Sequence, residues 1–303
     1  MDFEIIAEGL DFPEGPIVFP DGSIVLVEIK RGTLTRVWNG RSEVIAHLGG
    51  GPNGAALGPD GAVYVCNNGG MEFHTTTTGV TYTGAAPADY ETGRIERVDL
   101  ATGKIERLYD RIGDKRLSGP NDIVFEKSGG FWFTDLGKQR PRAHEYGGLY
   151  YAKPDGSKLT EIVYGSINFN GVGLSPDEDV VYAADTDTAK LWAFDVVGEG
   201  ETAPRLPGFA GRFVASQRTH CYFDSLAVQA NGDVCVATII NGGITTITPQ
   251  GASSHVAFPD PIVTNICFGG ADMRDAYITL SGTGKLAKTR WPEPGLKLNF
   301  CSY

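Results

Sequence analysis

The sequence predicts an all-β fold, a six-bladed β-propeller with four-stranded blades. Three observations carry that prediction. Six segments align with one another: FPEGPIVFPDGSIVLVEI, GPNGAALGPDGAVYVCNN, GPNDIVFEKSGGFWFTDL, NFNGVGLSPDEDVVYAAD, YFDSLAVQANGDVCVATI and VTNICFGGADMRDAYITL. Each has a polar anchor (Glu14, Asn53, Asn121, Asn170, Asp224, Asn265) and, seven positions later, a turn former (Asp21, Asp60, Ser128, Asp177, Asn231, Asp272). Behind every turn runs a β-branched and aromatic stretch such as SIVLVEI or GFWFTDL, with strand composition and no helical period.

The elements follow in order. FEIIAEG near the start supplies a strand to the last blade and closes the ring. The aligned segments give two strands each, and GTLTRVWNG, GRIERVDLATGKIERLYD, GGLYYAKPDGSKLTEIVYG, KLWAFDV, GGITTITPQG and GKLAKTRW bring each repeat to roughly four. Anchor spacings of 39, 68, 49, 54 and 41 residues set a period near 50 with insertions. Residues 1–303 read as one propeller domain. Gly 41 and Pro 17 are about a fifth of the chain, against a usual share of roughly 12%, so tight turns abound. Gly49-Gly50-Gly51-Pro52-Asn53-Gly54 matches GxGxxG, but it leads into a turn rather than a helix. It therefore has no helix N-terminus to hold a pyrophosphate.

Lys plus Arg number 26 and Asp plus Glu 37, a net charge of −11 that repels phosphate backbones and argues against nucleic acid. No apolar run approaches the ~20 residues of a membrane span, and the start lacks the basic and apolar regions of a signal peptide. Five cysteines without a CxxC pair suit a reducing cytoplasm.

In a propeller the innermost strand of each blade lines the central channel. The six anchors should therefore ring one mouth of it. Two carboxylates and four carboxamides converging on an axis suit a hard divalent cation such as Ca²⁺, Mg²⁺ or Mn²⁺. This puts a metal site at that mouth. A second ring is expected about fourteen residues after each anchor, at Glu28, Asn67, Asp135, Ala184 (followed by Asp185) and Thr238, with Asn68 and Asp135 favoured as supports or substrate contacts. The insertion of residues 69–93, with Met71, Phe73, His74, Tyr82 and Tyr90, reads as a partial lid. A loop with Arg140, Arg142, His144 and Tyr146, and another with Arg218, His220 and Tyr222, are expected on the same face.

These residues resemble the SMP-30/gluconolactonase/LRE-like propellers over nearly the whole chain. The resemblance lies in Pro13-Glu14-Gly15, Gly119-Pro120-Asn121-Asp122, Asn170-Gly171 before Leu174-Ser175-Pro176-Asp177, and Asp224 opening DSLAVQANGDVCVA. Where regucalcin-like members carry an Arg, this chain has Gly119, so it is more similar to the gluconolactonase-like and Drp35-type lactonase-like members. The resemblance implies Glu14, Asn170 and Asp224 as metal ligands and Asn121 as a fourth ligand or a substrate contact. Asn53, Asn68, Phe73, His74 and Asp135 complete the candidate substrate site. One divalent ion is implied, Ca²⁺ foremost, with Mg²⁺, Mn²⁺, Zn²⁺ or Fe²⁺ as alternatives. The expected reaction is water attack on a metal-polarised lactone carbonyl, with a small-molecule lactone as partner and Asp224 as base or as ligand alone. A phosphotriesterase-like hydrolase would use the same oxygen cage, and a non-catalytic metal-binding or ligand-binding propeller is the rival outside enzymes. No Gly-x-Ser-x-Gly elbow is present, which argues against a serine nucleophile.

Overall fold

Six antiparallel sheets stand as blades around one axis in the computed structural model, which describes all residues except 166, 167, 207–210, 218, 302 and 303. Among the described residues every regular element is a strand, and no helix is long and apolar enough to cross a membrane. The first blade runs outward through Pro13–Val18, Ile24–Glu28, Thr33–Trp38 and Arg41–His47. The other innermost strands are Pro52–Leu57, Pro120–Phe125, Phe169–Leu174, Tyr222–Val228 and Val263–Gly269. The expected closure is present. Phe3–Glu8 pairs antiparallel with Lys285–Arg290, so the sixth blade takes its outer strand from the start of the chain.

The predicted turns form by the expected chemistry. Asp21 Oδ1 accepts the Ser23 amide at 3.0 Å, Asp60 Oδ1 that of Ala62 at 3.2 Å and Asn231 Oδ1 that of Asp233 at 3.0 Å. Each is an Asx turn joining the first two strands of its blade. The second strands Ile24–Glu28, Val63–Asn67 and Phe131–Asp135 are buried at every position, and those of the other three blades at all but one terminal residue. A blade covered on both faces needs apolar residues on both faces, which explains a continuous hydrophobic run where a half-exposed sheet would alternate.

The core is accordingly divided into six clusters, one between each pair of neighbouring blades. Val27 and Leu34 meet Val63 and Val65 between the first two blades, while Trp132 and Tyr151 meet Phe169 and Phe194 between the third and fourth. Burying such a side chain contributes about 1.5–3 kcal/mol, so each interface sums many modest terms.

Every innermost strand carries one residue more than its partner beside the anchor. Pro13 to Ile17 faces Glu28 to Val25, and Pro120 to Ile123 faces Asp135 to Phe133. The same extra residue recurs in the other four blades. A bulge re-aims the local side chain, and here it recurs at one level around the channel. Glycines after the anchors let the strands close in. A Cβ on Gly54 would lie 2.5 Å from the Asn121 carbonyl, and one on Gly171 would lie 2.7 Å from the Leu226 nitrogen.

Two segments cross the ends of the channel. On the anchor side, the expected lid is a hairpin of Phe73–Thr75 and Thr81–Thr83. It spans from the second blade to the sixth, where the Thr81 amide donates to Gly282 O (2.8 Å), and is tied to the third-blade loop by Ala86 N donating to Gln139 O (2.9 Å). On the opposite side, residues 291–301 strap the blades together. The Gly295 amide donates to Met273 O, Leu296 N to Val228 O and Asn299 Nδ2 to Phe125 O, and the Phe300 ring stands edge-on to Phe125.

Candidate active site

The bulges deliver five anchors to one cavity of about 740 Å³ beneath the lid: Glu14, Asn53, Asn121, Asn170 and Asp224. The sixth, Asn265, sits behind and donates to Glu14 Oε2 at 2.7 Å. Glu14 Oε2 also accepts the Gly15 amide at 2.6 Å, and Asp224 Oδ1 accepts that of Ser225 at 3.0 Å. The Ser225 hydroxyl lies 3.5 Å from Glu14 Oε1 and 3.4 Å from Asn170 Oδ1, so the three blades meet on one side chain.

Electrostatically the floor is acidic, with Glu14, Asp122 and Asp224 all buried. Burial, reinforced by the Asp224 charge, raises the Glu14 carboxyl well above its ordinary range. Burial pushes Asp224 up to about 7 against the pull of the Asn170 carboxamide. Asp122, buried one residue after Asn121, is also pushed up to about 7, although it accepts the Ile123 and Val172 amides. Among the described residues no Lys, Arg or His forms an ion pair with any of the three. Asn121 Oδ1 is buried without a donor. Among the described residues no cluster of three or more His, Cys, Asp or Glu forms. The donor set is therefore two carboxylates completed by carboxamide oxygens, a composition that fits a hard dication: the carboxylates supply its countercharge and Asn121 Oδ1 is an unused acceptor.

The other expected site residues lie behind the cavity wall. The Asp135 carboxylate is consumed by the amides of Ser118, Gly119 and Gly137, at 2.8, 2.7 and 2.7 Å, and so shapes the third-blade loops. Asn67 holds Gly51 N and Gly69 N, and Asn68 holds Gly70 N and faces Lys138. Glu28 binds Thr35 and Arg31, and Asp185 binds Thr188. Phe73 packs edge-on against Phe12, which lines the cavity from the first blade, and His74 lies beside Tyr82, which lines it from the hairpin. Of the two loops, His144 and Tyr222 reach the cavity and Arg140 pairs with Glu145, while Arg218 lies outside the described residues.

The physical reason is alternation. Side chains fourteen residues after the anchor do not line the cavity, whereas one position later Ile29, Leu136 and Ile239 do, and in the fourth blade Thr186 does two positions later. A one-residue offset in an extended strand changes the face. Lys138, Asn168 and Asp187 also line the cavity without having been singled out by the repeat. Lys138 is pushed down to about 8 by burial and donates to Asn68 O and Gly70 O at 2.6 and 2.5 Å, which anchors the lid base.

Comparison with known proteins bears on this geometry. The profile of the SMP-30/gluconolactonase/LRE-like region matches residues 12–282. A gluconolactonase of Zymomonas mobilis subsp. mobilis is 26% identical over 294 residues, covering 88% of this chain and 75% of that protein. Lactonase drp35 of Staphylococcus saprophyticus is 25% identical over 253 residues, covering 82% and 70%. A crystal structure described as a calcium-binding regucalcin from Agrobacterium tumefaciens superposes with a TM-score of 0.73 at 18% identity, covering 98% of each chain. At that identity the likeness is one of fold.

Proposed function

Because this chain belongs to the SMP-30/gluconolactonase/LRE-like family, we propose that it is a divalent-metal-dependent lactonase. The observation that carries the reading is the cavity floor, where Glu14, Asp224 and three carboxamides meet under a lid. The named relatives, a gluconolactonase and drp35 lactonases, supply the reaction class. Glu14, Asn170 and Asp224 would hold one divalent cation, Ca²⁺ foremost, with Asn121 Oδ1 as a fourth donor. Such an ion, when bound, would draw charge from the lactone carbonyl oxygen.

The protein groups divide the remaining work. The Ser225 amide fixes one oxygen of Asp224, leaving the other to take the proton of the attacking water. Attack at the carbonyl carbon and cleavage of the ring C–O bond give a hydroxy acid, the ring oxygen ending with a proton. Asn121 holds the substrate or completes the cage, and the lid hairpin limits water above the floor. An odd number of cysteines without a CxxC pair keeps the expectation of a reducing cytoplasm.

The test is turnover of a lactone panel by protein stripped with a chelator and then resupplied with Ca²⁺, Mg²⁺, Mn²⁺, Zn²⁺ or Fe²⁺ in turn. Stripped protein should be inactive, and one of the ions should restore hydrolysis. Hydrolysis that survives complete removal of metal would end the metal-dependent reading. No turnover with any ion would end the lactonase reading.

A further inference from the structure

We propose that the lactones opened here carry an apolar substituent, seated on a cavity wall built around Ile240; this rests on the lactonase reading. Ile240 occupies the turn after the second strand of the fifth blade, the blade that supplies Asp224. Its φ is 82°, a backbone region that a β-branched residue rarely enters, and the side chain is 48% exposed although it lines the cavity. Such strain persists where surrounding structure imposes it and is a pointer to function. Here the surroundings are clear: the Ile240 amide donates to Pro261 O at 2.7 Å, and Ile239 forms a β-bridge with Ile262.

The wall continues without a gap. Ile262 Cγ1 and Val80 Cγ1, the latter from the lid, would both lie 3.0 Å from a Cβ placed on Gly282, so lid and blade close on that glycine. Its base is the Asp224 strand, because Tyr222 pairs directly with Ile239. Phe12, a second bulky residue at positive φ (60°), also lines the cavity.

The adjoining fourth-blade side is polar. Asn168, Thr186 and Asp187 of the fourth blade and His144 of the third-blade loop line it, and Asn168 Oδ1 and Thr186 Oγ1 are buried without partners. A polyhydroxylated lactone would leave the isoleucine wall facing hydroxyls it cannot bond. A ring with polar atoms toward the fourth blade and an alkyl arm toward Ile240 meets both sides. The volume of about 740 Å³ leaves room for that arm, within the roughly 300–1,000 Å³ usual for ligand cavities.

The experiment compares kcat/KM of metal-loaded protein on δ-valerolactone, δ-octalactone, δ-decalactone and D-glucono-δ-lactone, for the native chain and Ile240→Gly. Glycine adopts the native φ without strain, so this variant removes the side chain and keeps the turn. Each seated methylene is worth a factor of roughly three to four. The native rate constant should therefore climb at least ~20-fold from δ-valerolactone to δ-decalactone. Ile240→Gly should lose about 5- to 10-fold on δ-decalactone while δ-valerolactone stays within about twofold. A flat series, preference for the gluconolactone, or equal losses on both alkyl-free and alkyl-bearing substrates would overturn the proposal.

Calorimetric binding of δ-valerolactam and its pentyl derivative, which resist ring opening, separates the two readings. If no lactone is hydrolysed yet the pentyl lactam binds more tightly and Ile240→Gly abolishes the difference, the apolar wall stands and the lactonase reading falls. If lactones are hydrolysed and the two lactams bind alike, the wall falls alone.

Discussion

Glu14 and Asp224 face the same cavity but are held differently. Glu14 receives the Gly15 amide and the Asn265 carboxamide, with the Ser225 hydroxyl nearby, whereas Asp224 Oδ1 receives the Ser225 amide. The more heavily tethered carboxylate suits a fixed ligand and the other a group that handles a proton. Asp224→Asn keeps the size and an oxygen donor but removes a charge and the basicity. It should weaken metal binding and, with metal saturating, still lower kcat by about 10²–10⁴-fold. Near-normal kcat at saturating metal would reduce Asp224 to a ligand. Asn121→Ala leaves both carboxylates in place, so raising metal or substrate concentration should recover part of its loss. A kcat deficit that neither addition relieves would give Asn121 a part in the chemical step.

Among the elements, the lid hairpin is the one whose role can be separated from the proposed metal site. Its residues line the cavity roof through Met71, Val80 and Tyr82, yet none is an anchor. Replacing residues 73–83 by a short Gly-Ser link should change relative rates among lactones by several-fold while leaving one bound metal per chain, read by elemental analysis. Loss of metal on that deletion would refute the separation. The lid was legible in the sequence because a 25-residue, aromatic-rich insertion breaks the repeat. The anchors were legible because six bulged strands demand the same residue class at the same place. Asn68, Phe73, His74 and Asp135 are engaged locally: loop amides take the polar groups of Asn68 and Asp135, and Phe73 and His74 pack against neighbouring rings. The apolar wall was hidden because Ile239 and Ile240 look like ordinary strand residues, and only the strained turn between strands brings Ile240 to the cavity.

At the scale of the whole molecule, six inter-blade clusters and a closing strand support a floor that burial makes costly to ionise. In metal-free protein Asp224 and Asp122 hold protons to about pH 7, whereas an unfolded Asp releases its proton near ~3.9. The folded chain then binds more protons than the unfolded one across that window. The stability that these two carboxyls contribute is fully present below about pH 4 and is lost as pH rises through about 7. Chelated protein should therefore melt at a lower temperature at pH 7.5 than at pH 5, roughly speaking, and a divalent ion should raise the higher-pH value more, because protons no longer compete with it. A chelated melting temperature that climbs over this range would contradict the assignment of the floor. The strap of residues 291–301 has a kinetic consequence. A second, smaller cavity lies beneath it, lined by Leu296 and Asn299, and shares no lining residue with the lidded one. The hydrogen-bonded floor separates the two, so product leaves the lidded chamber from the side on which substrate is bound. A hydroxy acid still inside bars the next lactone, so accumulated product should raise the apparent KM and leave the maximal velocity untouched.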